Sequence, residues 1–383
     1  MRDAVIVSAL RTPIGLGKPG KGALSGMHPV DLSATVLRAT VERSGIDPAL
    51  IEDVIWGCVS QIGEQSTNIG RNAALAAGLP ESVPGVTVDR QCGSSQQAAH
   101  FAAAAVIAGQ ADVVIAGGVE AMSRVPMFSN QDGRDPFGPR MRQRYQDELV
   151  NQGVSAEMIA ARWGLSREML DGLSVASHDR AARATKDGLF AAEIVAVTTP
   201  DGVVQEDQGI RPGTTLDSLA GLKTPFDPNG VITAGNASQI SDGAAALLIT
   251  TSEKAAELGL TPLARFHTFA MAGVDPIIML TGPIPATAKA LRRSGLALAD
   301  IGTFEVNEAF SSVLGAWLAD TGADHARVNP NGGAIALGHP LGASGARLMT
   351  TMVHTMRRDG VRFGLQTMCE GGGMANATIL ELL

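Results

Sequence analysis

The chain has 383 residues, 45% of them hydrophobic and 18% charged, with a formal net charge of -8. That size and mixture suit a folded protein of two domains or two halves, exclude a disordered chain and give no reason to expect nucleic acid as a partner. Three cysteines without a CxxC pair support neither a disulfide framework nor a metal site, and no apolar run is long enough for membrane insertion.

Taken in order, residues 4–8 read as a first strand, ended by Arg11-Thr12-Pro13. Asp3 interrupts any early apolar region, so the opening is not a secretory leader and the expected location is cytoplasmic. Apolar residues at helical spacing (Leu32, Val36, Leu37, Val41) predict a helix over 29–44, stopped by Gly45. A strand over 54–59 and a helix over 68–77 follow. Next comes TVDRQCGSSQQAAHFAAAAVIA from Thr87, where a β-prone run meets a turn and then an Ala-rich helix. Cys92 falls at that strand-to-helix turn. The free N–H groups of a helix start stabilise a thiolate, so a lowered thiol pKa and a nucleophile are one expectation, and a small buried packing residue is the other. Residues 112–118 form a buried strand leading to a glycine pair. Apolar strands alternating with helices predict a layered α/β fold.

Near Glu120 the composition changes. Residues 122–208 carry more charge, several Pro and Gly turn signals, and helical patches at 156–163 and 167–186. This is a long excursion of the kind that covers a site. The buried-strand pattern returns at 244–250. The second half then repeats the first: Arg43-Ser44-Gly45 with the strand Val54-Ile55-Trp56 has its counterpart in Arg293-Ser294-Gly295 with Phe304-Glu305-Val306, an offset of 250 positions (295 − 45). The block 92–118 likewise resembles 338–372, with a helix near 345–358 and a strand over 363–368.

Two further stretches could carry chemistry. NPNGGAIALGHPLGASG, from Asn329, is glycine-rich and predicts a tight loop holding His339, either a general base or a turn histidine bonded to backbone. Cys369 ends a strand before Gly371, Gly372 and Gly373, either a second reactive thiol or a packing residue. Asn307 stands just beyond another strand end, in VNEAF.

Together these stretches resemble the thiolase family of acyl-CoA acetyltransferases, over nearly the whole chain. The blocks are VIVSALRTPIG, CGSS at Cys92, GGVEAMSRVPM from Gly117, GNASQISDGAAALL from Gly235, VNEAF, GGAIALGHPLGASG and CEGGG. The resemblance implies two similar halves, each with a five-stranded sheet, stacked as α-β-α-β-α with an inserted loop domain. The expected division is 1–120 with 200–262, the insertion 121–199, and 263–383. It further implies Cys92 as the acylated nucleophile, His339 as its activator and Cys369 as the acid/base. A water held by Asn307 would form one oxyanion hole together with His339, and the N–H groups of Cys92 and Gly371 the other. Ser238 and Arg211 would contact coenzyme A, a cosubstrate rather than a bound cofactor, and the partners would be acyl-CoA, CoA and further copies in a homodimer or homotetramer. The expected reaction is thiolytic cleavage of a 3-oxoacyl-CoA, with acetoacetyl-CoA synthesis or a non-catalytic lipid carrier as alternatives.

Three positions depart from the family pattern: Ser95 replaces a glycine, Glu370 replaces an apolar residue, and Asn151-Gln152-Gly153 replaces His-Met-Gly beside the acyl group. The last leaves room for a medium, branched or ring-derived acyl chain.

Overall fold

The expected alternation of strand and helix is present in the computed structural model, which describes residues 2–146 and 148–383. The first half holds β1 (Val5–Arg11), α1 (Pro29–Ser44), β2 (Asp53–Gly57), α2 (Ile69–Ala76), β3 (Gly85–Val88), α3 (Ser94–Ala108) and β4 (Val113–Ala121). Helices α4 (Gln152–Trp163) and α5 (Arg167–Lys186) occupy the charged excursion, and β5 (Ser241–Thr250) closes the half. The second half holds β6 (Ala264–Gly273), α6 (Pro283–Ser294), β7 (Thr303–Val306), α7 (Ser311–Thr321) and α8 (Ala334–Leu337). It ends with α9 (Ser344–Asp359), β8 (Phe363–Glu370) and β9 (Met374–Leu382).

Local chemistry explains the helix boundaries. Pro29 enters α1 where no N–H is needed, His28 accepts from Val30 N–H, and Gly45 leaves the helix at φ 72°. Asn151 and Ser166 cap α4 and α5 by accepting from Val154 and Met169 N–H.

The strands form one hydrogen-bonded path, β7-β8-β9-β6-β1-β5-β4-β2-β3. Its two halves join where β1 meets β6, with Val5 opposite Arg265 and Ile6 opposite Ala264. Alternation along the strands assigns the layers. Val5, Ile115 and Leu248 face α1 and α2 on one outer side, whereas Ile6, Val114 and Leu247 face α3 and α9. From the other half, Phe266 and Leu380 meet the same two helices, and Ala377 and Ile379 turn outward onto α6 and α7. The order is therefore helix, sheet, paired helices, sheet, helix.

The repeat is structural as well. Helices α3 and α9 begin at Ser94 and Ser344, and β4 and β8 begin at Val113 and Phe363, so both offsets are 250 (344 − 94 and 363 − 113). The halves differ in strand number. The first has five strands in the path, but the second has four, because Val328 makes only an isolated bridge to Phe304. Asn329 at φ 46° and Pro330, which lacks an N–H, prevent the chain from continuing as a fifth strand. Among the described residues, no helix is long and apolar enough to cross a membrane.

Candidate active site

Strand β3 stops at Val88 and α3 starts at Ser94, so Cys92 does lie in a strand-to-helix turn. Gln91 adopts a left-handed φ of 48°, uncommon for a residue with a side chain. Ser94 secures the turn: its hydroxyl accepts from Arg90 N–H at 2.9 Å and donates to Gln91 O at 2.6 Å. The Cys92 side chain packs against Leu341, Leu348 and Met368, from the loop after His339, from α9 and from β8. Three separated segments thus converge on one sulfur.

Its acidity runs against the sequence expectation. Burial pushes the Cys92 thiol up to about 12, with Glu370 and Glu120 adding to the rise and the N–H groups of Cys92 and Gly371 opposing it. The helix start contributes donors, but desolvation of the thiolate outweighs them. In the resting site Cys92 is a thiol.

His339 follows Gly338, whose φ is 105° and whose added Cβ would fall 2.4 Å from Ser241 Oγ, so glycine is required there. The His339 N–H donates to Gln239 O and to Ser241 Oγ, both at 3.1 Å, which fixes the loop on the start of β5. On the ring, Nδ1 lies 2.5 Å from Ser344 Oγ, and that hydroxyl donates its own proton to Pro340 O at 2.8 Å. Ser344 must then accept from Nδ1–H, leaving Nε2 with a lone pair. Asn307 Nδ2 donates to that Nε2 at 3.4 Å. Burial, with Arg347 adding to it, lowers the imidazole pKa to about 3. The side chain is a neutral base with one defined acceptor.

Cys369 is wholly buried against Ala309 and Phe310, and burial together with the nearby Cys92 raises its thiol well above the ordinary value. Asn307 is set beside it because its N–H donates to Thr367 O at 3.0 Å, extending the β7–β8 pairing. A Cβ on Gly371 would lie 3.0 Å from Gln91 Oε1 and 3.3 Å from Gln152 Nε2, so the first residue of α4 reaches the site from the excursion. Cys92 is thus linked to Cys369 and Gly371, and His339 to Asn307, with Leu341 of the His339 loop packed on Cys92. Ser238 borders these residues: its N–H donates to Ala309 O at 2.9 Å and the residue is half-buried. Arg211 is exposed and its N–H donates to His178 Nδ1 at 3.2 Å, so it stands outside the thiol cluster.

Two residues were not singled out by sequence. Ser344 sets the His339 tautomer, and its only signal is its place five residues on in the same loop. Glu120, wholly buried at the end of β4, accepts from Val59 and Ser60 N–H at 3.0 Å and from Gln65 Nε2 and Gly342 N–H at 2.8 Å. It ties the first half to the His339 loop. Among the described residues, no group of three or more His, Cys, Asp or Glu side chains could hold a metal ion.

An α/β fold with two neighbouring buried thiols, and a neutral imidazole bonded to an amide in the loop that packs on one of them, fits an acyl-transferring enzyme. Residues 4–253 match the family model "Thiolase, N-terminal domain", and residues 260–382 match "Thiolase, C-terminal domain". The chain is 51% identical to the steroid 3-ketoacyl-CoA thiolase FadA6 of Mycobacterium tuberculosis, covering 100% of this chain and 95% of that protein. It is 48% identical to the 3-ketoacyl-CoA thiolase of Erwinia tasmaniensis, covering 100% of both. The crystal structure of the Bacillus anthracis acetyl-CoA acetyltransferase superimposes with a TM-score of 0.90 at 38% identity, over 100% of this chain and 99% of that one. The chain belongs to the thiolase family.

Proposed function

We propose that this protein cleaves 3-oxoacyl-CoA with coenzyme A in the degradative direction, yielding acetyl-CoA and a shortened acyl-CoA. The observation that carries the reading is the lone pair on His339 Nε2, in the loop whose Leu341 packs on Cys92, together with a second buried thiol, Cys369, close enough to Cys92 for their charges to interact. His339 takes the proton of the Cys92 thiol as the sulfur attacks the 3-keto carbon. The bond between the α and β carbons then breaks, leaving a thioester on Cys92 and the enolate of acetyl-CoA, which Cys369 protonates. The incoming CoA thiol returns a proton to Cys369, and its sulfur displaces the acyl group from Cys92, whose leaving sulfur takes back the proton held by His339. Once protonated, His339 Nε2 becomes a donor, and with Asn307 it holds the thioester oxygen of the enolate. The N–H groups of Cys92 and Gly371, already directed at the sulfur, hold the tetrahedral oxygen.

Ser238 and Arg211 belong to the same reading as contacts to the pantetheine arm and to the nucleotide end of CoA. Gln152 beside Gly371 replaces a methionine of the short-chain pattern. That change and the name of the Mycobacterium tuberculosis relative support a branched or ring-derived acyl group. The reading includes a cytoplasmic location and assembly as a homodimer or homotetramer; the uncovered edge of β3, where Val86 is exposed, supports assembly.

Incubation with CoA and a panel of short, medium, branched and ring-bearing 3-oxoacyl-CoAs tests this. Acetyl-CoA release with at least one of them is expected, and absence of turnover across the panel would sink the proposal.

A further inference from the structure

Glu370 ends β8 between Cys369 and Gly371, yet nothing above uses it. Its side chain is buried, and neither carboxyl oxygen has a hydrogen-bond partner among the described residues. Oε1 lies 1.9 Å from the point a Cβ on Gly93 would occupy, so the carboxyl rests on the residue that follows Cys92 and caps α3. A side chain at position 93 would force the carboxyl to move. The charged and titratable groups around Glu370 are Asp89 and Arg90 on the turn before Cys92, Cys92 itself, and Cys369 on its own strand. Burial pushes the carboxyl up to about 8, Arg90 pulling against it and Asp89 adding to the rise. Two anions in one desolvated space oppose each other, so Glu370 and Cys92 cannot ionise independently.

We propose that Glu370 is a positioning residue that controls the charge state of Cys92: as a neutral acid it permits the thiolate, and as a carboxylate it holds Cys92 as the thiol. The proton of Cys92 then leaves to His339 when substrate binds rather than to solvent as the pH rises. The proposal rests on Cys92 being the nucleophile. It deepens that reading by naming the group that, as it ionises, adds to burial in holding the resting sulfur as a thiol.

Alkylation of Cys92 by iodoacetamide, located by peptide mass spectrometry between about pH 6 and pH 9.5, tests it in the wild type, Glu370→Gln and Glu370→Ile. Near pH 6 the carboxyl is neutral, so the wild type and Glu370→Gln should react within about twofold of each other. Near pH 9 the variant should be faster by about fivefold or more. A packing role alone would move both ends of the profile by one factor or leave both unchanged, and either result would overturn the proposal. Circular dichroism establishes that the variants fold. Should neither fold, the wild-type profile still decides: the logarithm of its rate should climb less than one unit per pH unit above pH 8, whereas unit slope throughout would overturn the proposal. An acyl adduct on Cys92 after incubation with substrate tests the underlying reading separately. An adduct on Cys92 combined with parallel profiles rejects only the role of Glu370.

Discussion

The tautomer of His339 depends on one hydroxyl, since Ser344 accepts from Nδ1–H and leaves Nε2 as an acceptor, which Asn307 Nδ2 reaches at 3.4 Å and which the proposed reaction uses for the Cys92 proton. Replacing Ser344 by Ala strands a buried N–H and lets the ring choose the opposite tautomer. We expect kcat to fall about tenfold or more, with KM within about twofold; steady-state kinetics checks this, and an unchanged kcat would mean the ring is oriented otherwise. His339→Ala removes the base itself and should lower kcat by about 100-fold to 10,000-fold. At this scale the sequence was legible where chemistry is local. Cys92 before Gly93 and Ser94, and His339 within its glycines, could be picked out because turns need those neighbours. The acidity of Cys92 could not, because it is decided by burial and by Glu370 and Glu120, residues distant in the chain from the helix that suggested a lowered pKa.

Elements meet here through bare backbone. A Cβ on Gly57 would lie 2.4 Å from Ser95 N, one on Gly118 2.2 Å from Gly342 O, and one on Gly345 2.3 Å from Gln96 N. These glycines let β2, β4, the start of α3 and the His339 loop press together, so the turns holding Cys92 and His339 approach from opposite halves. Gly345→Ala forces α9 away from α3 and should destabilise the protein by about 1–3 kcal/mol, with a drop in kcat from the displaced loop; chemical denaturation and kinetics read both. Glu120→Ala leaves the N–H groups of Val59, Ser60 and Gly342 without their acceptor. A loss on the order of 3 kcal/mol or more is expected, and a change under about 1 kcal/mol would show that these donors find other partners. The high glycine content announced close packing without saying which surfaces touch. Strand β9 was not anticipated because Asn376 and Thr378 alternate with Ala375, Ala377 and Ile379. The polar pair faces α3, where Gln96 Nε2 bonds Thr378 Oγ1 at 2.7 Å, and so interrupts the apolar run. The helix over 167–186 was read with its true ends because Ser166 caps it locally.

Across the whole molecule, buried titratable groups set opposing pH dependences. His100 and His339 are lowered to about 3 by burial, so they favour the fold above the unfolded value of about 6.5, and that contribution is lost as pH falls below it. Glu305 and Glu370 are raised to about 8 by burial, so their contribution is complete below the unfolded value of about 4.5 and is lost as pH rises towards 8. Stability should peak near about pH 6 and decline on both sides; thermal melts across pH check this, and a midpoint still rising through pH 8 would contradict it. The two-half architecture was legible because the offset of 250 residues keeps turn and strand signals in phase, as at Gly45 and Gly295. The missing fifth strand of the second half was not, since it turns on the backbone angle of Asn329.

The central claim is that Cys92 carries the acyl group between two CoA-dependent steps. Rapid quenching after mixing with a 3-oxoacyl-CoA in the absence of CoA, followed by peptide mass spectrometry, measures it most directly. The acyl mass should appear on the peptide containing Cys92 and disappear when CoA is added. Turnover with no adduct on Cys92, or with the acyl group on Cys369 or Cys58 instead, would contradict the account.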